Sequence, residues 1–226
     1  DIIIDTVLFR KLKDFRRLAE RLKHLNTHDA FYLLKHCFSL PMLMYTLRSA
    51  PCYDSELINQ YDESIRSTLQ AILNVSLTDD GWRQAKLPVK HGGLGVLSVS
   101  DIALPAFLAS VFGSAELSLQ LLPSSLTQLG GTNDVKYMHY VDKWRSITMS
   151  PTPDASIAAN QKVWSRPLQV IAAEAVLSAA QTQASRARLI AAAAPSSGAF
   201  LQAIPMSSVG TRLDITSMRI AVSLRL

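Results

Sequence analysis

A chain of 226 residues with 48% apolar and 18% charged side chains can bury a sizeable core, which excludes an intrinsically disordered segment. Its 23 Lys and Arg against 18 Asp and Glu leave a net charge of +5, which permits contact with a polyanion without requiring it. No apolar run approaches the ~20 uncharged residues of a membrane span, and two cysteines, Cys37 and Cys52, are too few for a disulfide framework.

Free, core-type thiols in a reducing compartment are therefore expected. The nearest membrane candidate, the Ala-rich stretch 172–194, carries Glu174, Arg186 and Arg188, so no membrane contact is expected. The opening Asp1-Ile2-Ile3-Ile4-Asp5 lacks the basic start of a signal peptide. The chain closes on Arg225-Leu226 within an apolar periodic pattern, so both ends read as cut from something longer.

Residues 8–25 place Leu8, Leu12, Phe15, Leu18, Ala19, Leu22 and Leu25 on one face at helical spacing, which predicts an amphipathic helix. On the helical wheel Arg10, Lys13, Arg17 and Arg21 gather on the opposite face. Asn26-Thr27 breaks the pattern, with Thr27 the expected cap of a second helix. That helix should bury Ala30, Leu33, Leu34, Cys37 and Phe38 and stop at Pro41. A short helix with Leu43, Met44 and Leu47 precedes Pro51, and a longer one fills 54–74 with Ile58, Tyr61, Ile65, Leu69 and Ile72 inside. Thr78 followed by Asp79 and Asp80 reads as a helix start, a cap with acids in the first turn. Residues 86–96 form a glycine-rich loop, after which Ser100 or Asp101 caps an apolar helix with Leu104, Phe107, Leu108, Val111 and Phe112.

Pro123-Ser124-Ser125 and Gly130-Gly131 bracket an expected linker at 123–133, separating residues 1–122 from a trailing segment 134–226. Tyr137, Tyr140, Val141 and Trp144 mark a further helix, and Pro151 and Pro153 a break. Pro167 suits the first turn of a long helix running to about Ala194, whose Ala and Ser content favours close packing in a core. A last helix starts at Asp214 or Thr216. With no alternating strand pattern of convincing length and no internal repeat, the expected fold class is all-α: multi-helical, two small helical subdomains joined by a Pro/Ser/Gly linker.

The chemical constellations are few. A catalytic Asp pair holding two metal ions needs a hairpin between apolar strands, and Asp79-Asp80 stands instead before Gly81-Trp82 in a helix-start context. His24 and His28 lie four apart but straddle the expected helix break, and His36-Cys37 has no CxxC beside it, so buried Cys and surface His are the expectation rather than zinc. Gly92-Gly93-Leu94-Gly95 matches neither a dinucleotide fingerprint nor a P-loop, and its glycines suit positive φ angles in a turn. No Gly-x-Ser-x-Gly elbow or Ser/Cys–His pairing occurs. No catalytic residue, metal or cofactor is therefore expected.

The row Arg10, Lys13, Arg17, Arg21 is the feature with chemical direction, since cations about one turn apart can track a phosphate backbone without reading bases. On the residues alone the stronger reading is a solvated face laced by pairs such as Arg10–Asp14 and Arg16–Glu20.

Residues 28–113 add a resemblance. The runs HDAFYLLKHC at 28–37, Leu40-Pro41, and YTLRSAPC at 45–52 are followed by Trp82, Ala85, Leu87-Pro88, Gly92-Gly93-Leu94-Gly95 and AFLAS at 106–110. In this order they resemble the region after the reverse transcriptase domain in non-LTR (LINE-type) retrotransposon polyproteins, with weaker similarity through Pro167 to Leu226. The resemblance implies a thumb-like helical region and a trailing helical segment, with the catalytic palm upstream as a partner in the parent polyprotein. No family catalytic residue falls on any position here, so the implied role is non-catalytic. It would be contact of Arg10, Lys13, Arg17 and Arg21 with the backbone of an RNA–DNA or DNA duplex, and the resemblance tips the basic row toward that role.

Overall fold

The computed structural model describes residues 2–121 and 135–226, and every regular element among them is helical. The expected linker at 123–133 lies outside the described residues. Helix α1 spans Ile2–Leu22, starting six residues before the expected position and ending three before it. Leu8, Leu12, Phe15, Ala19 and Leu22 are buried along one stripe as expected, whereas Leu25, beyond the helix end, is exposed. The stripe packs on α4, Glu56–Leu73, whose Ile58, Tyr61, Ile65, Leu69 and Ile72 are all buried. Phe15 and Tyr61 meet with ring centroids 4.8 Å apart, and the Tyr61 hydroxyl donates to the Phe38 carbonyl at 3.3 Å.

Helix α2, Thr27–Leu33, is capped by Asn26 and not by Thr27: the Asn26 Oδ1 accepts from the His28 N–H, while Thr27 is buried. The chain then passes through a π turn, Leu34–Phe38, closed by the Ser39 N–H donating to the Leu34 carbonyl. That extra residue shifts the helical phase, so Ser39 is buried and Cys37, expected inside, faces solvent. Helix α3, Met44–Ser49, follows.

Helix α5, Asp79–Ala85, begins as the sequence predicts, with the Thr78 Oγ1 accepting from the Gly81 N–H. The start of α6, Val99–Leu121, differs from the expected cap at Ser100 or Asp101. The Ser98 Oγ accepts from the Asp101 N–H at 3.4 Å, and the buried Asp62 of α4 takes the neighbouring groups: Val99 N–H at 2.6 Å, Ser100 N–H at 3.0 Å and Ser98 hydroxyl at 2.7 Å. A carboxylate from 36 positions away thus satisfies donors that no intrahelical carbonyl can reach. Residues 102–109 of α6 are buried on every side, against α3, α4 and α8. By length and composition alone, α6, and not the Ala-rich stretch 172–194 expected as the nearest candidate, is the one described helix able to cross a membrane; 44% of its apolar window is buried within this fold.

The second described stretch holds α7, Val135–Thr148; α8, Gln161–Ala179; α9, Gln183–Ala193; and α10, Ile215–Arg225, the last capped by Asp214 as one of the two expected starts. The single helix expected from Pro167 to Ala194 is two. Helix α8 begins six residues earlier, at Gln161 behind its cap Asn160, leaving Pro167 inside the helix, and Thr182 caps α9 through its Oγ1 on the Ser185 N–H. A hydroxyl able to serve as cap competes with helix continuation at that point. Nor does the Ala-rich stretch form a core: Trp164 and Ser165 are the buried residues of α8, and Leu189 and Ala192 those of α9.

Leu201, Met218 and Val222 join the main core with Leu8, Phe15 and Ile65, so side chains from both sides of 123–133 pack together. A second cluster sets Leu104, Leu108 and Ala109 of α6 against Val141, Trp144 and Trp164. The Trp144 indole donates to the Trp164 carbonyl at 2.9 Å and the Trp164 indole to the Ala158 carbonyl at 2.7 Å, which fixes both rings.

Candidate nucleic-acid interface

The stripe that buries α1 dictates where its cations stand. At 100° per residue the centre of Arg10, Lys13, Arg17 and Arg21 falls opposite that of Leu8, Leu12, Phe15, Ala19 and Leu22. All four cations are exposed, and eleven residues at 1.5 Å each spread them over roughly 17 Å of helix. The expected i,i+4 pairs Arg10–Asp14 and Arg16–Glu20 are not formed among the described residues. Arg17 approaches Asp14 at 3.8 Å, Glu20 pairs with Lys23 at 2.7 Å, and the Arg16 Nε donates to the Ser64 Oγ at 3.3 Å. Arg10, Lys13 and Arg21 have no carboxylate partner among the described residues. An exposed pair at 3.8 Å is worth well under ~1 kcal/mol, so Arg17 too is available.

The other candidates are occupied structurally. Asp79 pairs with Arg66 at 2.9 Å and Asp80 with Arg83 at 3.0 Å, both at the start of α5. His24 is exposed, but His28, expected at the surface, is buried: its Nδ1 accepts from the Leu213 N–H at 3.0 Å. Burial lowers the His28 pKa below the ordinary 6.5, against an opposing hydrogen bond with the Phe200 backbone. Asp29 beside it is paired with Arg212. The Cys52 thiol is buried, donates to the Thr46 carbonyl and is pushed up to about 11, first by burial and then by Asp5. No group of three or more His, Cys, Asp or Glu among the described residues is placed to hold a metal.

The Gly92–Gly95 loop is a packing device. Gly92 and Gly95 have φ of +85° and +74°, as the expected turn requires. Gly93 has no room for a side chain: a Cβ would stand 2.1 Å from the Leu87 carbonyl oxygen and 2.6 Å from that of Gln84. Across the loop lies Arg225, buried, donating from Nε to the Gly93 carbonyl at 3.0 Å and from Nη2 to the Val89 carbonyl at 2.8 Å. The Gln84 side-chain amide returns the tie, donating to the Arg225 carbonyl at 2.7 Å and the Gly92 carbonyl at 3.2 Å.

The fold also gathers cations that no stretch of sequence places together. Lys35, Arg48, Lys90, Lys162 and Arg166 line a cleft of about 1120 Å³ between α3, the glycine loop, α6 and the start of α8. Burial, and secondarily Arg225, lower the Lys35 pKa to about 8. The sequence holds no local sign of this cluster because its members stand on four separate segments.

No protein-family model, curated protein or solved structure matches this chain.

Proposed function

We propose that the chain is a non-catalytic, nucleic-acid-gripping helical region of a retroelement reverse transcriptase, in which α1 lays its cationic face along the backbone of a template–product duplex. The observation that carries this reading is the exposed row Arg10, Lys13, Arg17 and Arg21 on the face opposite the buried stripe, with Arg17 alone near a carboxylate among the described residues. Phosphate contact of this kind is sequence-independent and driven by counterion release. The resemblance over residues 28–113 supplies the retroelement context and the upstream polymerase palm as partner.

The test is a titration of the whole chain with a labelled RNA–DNA duplex across a salt series. Reversing the row (R10E/K13E/R17E/R21E) should weaken binding at least about tenfold and flatten the log–log salt slope by about 3.6, as expected for the loss of four phosphate contacts. Equal affinity of parent and variant rejects the reading.

A second reading, a helical protein-interaction domain without nucleic acid, is favoured by one observation. The first turns of α1 expose Ile2, Ile3 and Phe9, at 86%, 76% and 60%. In that case the purified chain carries no nuclease-sensitive material, and its duplex binding is as weak as that of the charge-reversed variant.

A further inference from the structure

We infer that the groove formed by the cationic cleft and the hollow beside it binds single-stranded nucleic acid, with phosphates on the cations and bases on aromatic rings. The site is separate from the α1 face and does not rest on the reading given above. The cleft is lined by Lys35, Arg48, Lys90, Lys162 and Arg166. Adjoining it is a hollow of about 610 Å³ lined by Phe107, Tyr137, His139 and Tyr140. Arg48, Ser110 and Ser114 line both, so the two form one continuous surface, cationic at one end and aromatic at the other.

The charge is unbalanced. No carboxylate is among the described residues lining either part, and none of the five cations forms an ion pair among the described residues. Arg48 donates to the Gln161 side chain at 3.2 Å, and Lys35 to the Leu201 carbonyl at 3.0 Å, so both are held in place without being neutralised. Helix α8 enters the cleft by its N-terminus, with Asn160, Gln161 and Lys162 on the wall, which adds the positive end of a 19-residue helix. One turn on, Ser165 is 5% exposed, and its Oγ has no hydrogen-bond partner, leaving a polar group at the wall that the fold does not use.

Five uncompensated cations select a polyanion over a neutral or single-charge ligand. A cleft of about 1120 Å³ is larger than the ~300–1,000 Å³ of most small-ligand pockets, and it continues into the hollow. The rings decide between strands: in a duplex the base faces are covered, whereas a single strand can present them to Tyr137, Tyr140 and His139.

The experiment titrates the whole chain with a labelled oligo(dT) of about 20 nucleotides and with an abasic oligomer of equal length and charge. Oligo(dT) should bind at least about tenfold tighter than the abasic oligomer, because stacking adds to the backbone attraction. The variant R48E/K162E/R166E changes exposed positions only and should weaken oligo(dT) at least about tenfold, with unchanged helical circular dichroism. The milder R48Q/K162Q/R166Q serves if the reversal disturbs folding, and it should weaken binding in the same direction. Tyr137→Ala should weaken oligo(dT) and leave the abasic oligomer unaffected. The α1 reversal should leave oligo(dT) binding intact, so failure of one site is distinguishable from failure of the other. Equal binding of oligo(dT) and abasic oligomer, or undiminished binding by a folded groove variant, overturns the inference.

Discussion

Single residues show how this fold disposes of polar groups that it buries. Asp62 is the clearest: a carboxylate inside the protein is tolerable because three donors at the start of α6 converge on it. His28 poses the opposite problem. It is buried with its Nδ1 accepting from the Leu213 N–H, so the ring must be neutral, and burial lowers its pKa below the ordinary 6.5. A base whose folded-state pKa is lowered contributes stability that is present above the unfolded value and is lost as pH falls below it toward the folded value. Stability should therefore decline with acid beginning near pH 6.5, as the unfolded chain takes up a proton that the folded His28 refuses. His28→Asn keeps an acceptor near the Leu213 N–H and removes the titration. Thermal melts followed by circular dichroism from pH 7.5 to 5 should show a shallower decline for the variant, and parallel profiles would remove His28 from the account. Burial lowers His36 and His91 as well, so the variant's profile should flatten and not become level.

Among the elements, the glycine loop between α5 and α6 makes the sharpest demand on sequence. Gly93→Ala puts a methyl within 2.1 Å of one backbone oxygen and 2.6 Å of another, and backbone cannot swing aside as a side chain can. A loss of about 3 kcal/mol or more is expected in urea denaturation, at the upper end for single substitutions. A near-neutral effect would mean that the loop repacks freely. What the sequence reveals about such elements depends on how they meet solvent. Helices α1 and α4 are buried on one stripe and wet on the other, so their period of 3.6 is visible in the letters. Residues 102–109 of α6 are buried all round, so their period is hidden and only their apolar character can be read. The caps divide in the same way. Thr78 acts on its own helix and is legible, whereas Asp62 reaches α6 from across the core and is not. The break between α8 and α9 was also hidden, because a run of good helix formers gives Thr182 no contrast beyond its hydroxyl. The α1 cations are legible because one helix carries them all. The cations of the groove, at 35, 48, 90, 162 and 166, meet only once the chain has folded.

At the scale of the whole molecule, α10 closes the fold by placing an arginine, not an apolar side chain, at the junction with the glycine loop. Arg225 is 5% exposed and donates to the Val89 and Gly93 carbonyls and, at 3.2 Å, to the Ser197 hydroxyl; none of these partners is a carboxylate. Two effects oppose one another in Arg225→Met. The substitution removes a charge that is costly to bury, and it strips three acceptors of their donor. Because no anion is left unpaired, the loss should be smaller than the ~3–5 kcal/mol of a broken buried ion pair. Three hydrogen bonds from a charged donor still outweigh the relief, which gives a net destabilisation of about 2 kcal/mol. The same substitution frees the loop that carries Val89 and Lys90 to the wall of the groove, while α1 packs elsewhere, on α4. Urea denaturation should thus show the loss in stability. Titrations of the folded variant should show weaker oligo(dT) binding with RNA–DNA duplex binding retained. If both ligands weaken together, the loop and the α1 face are coupled through the core and the two surfaces are not independent.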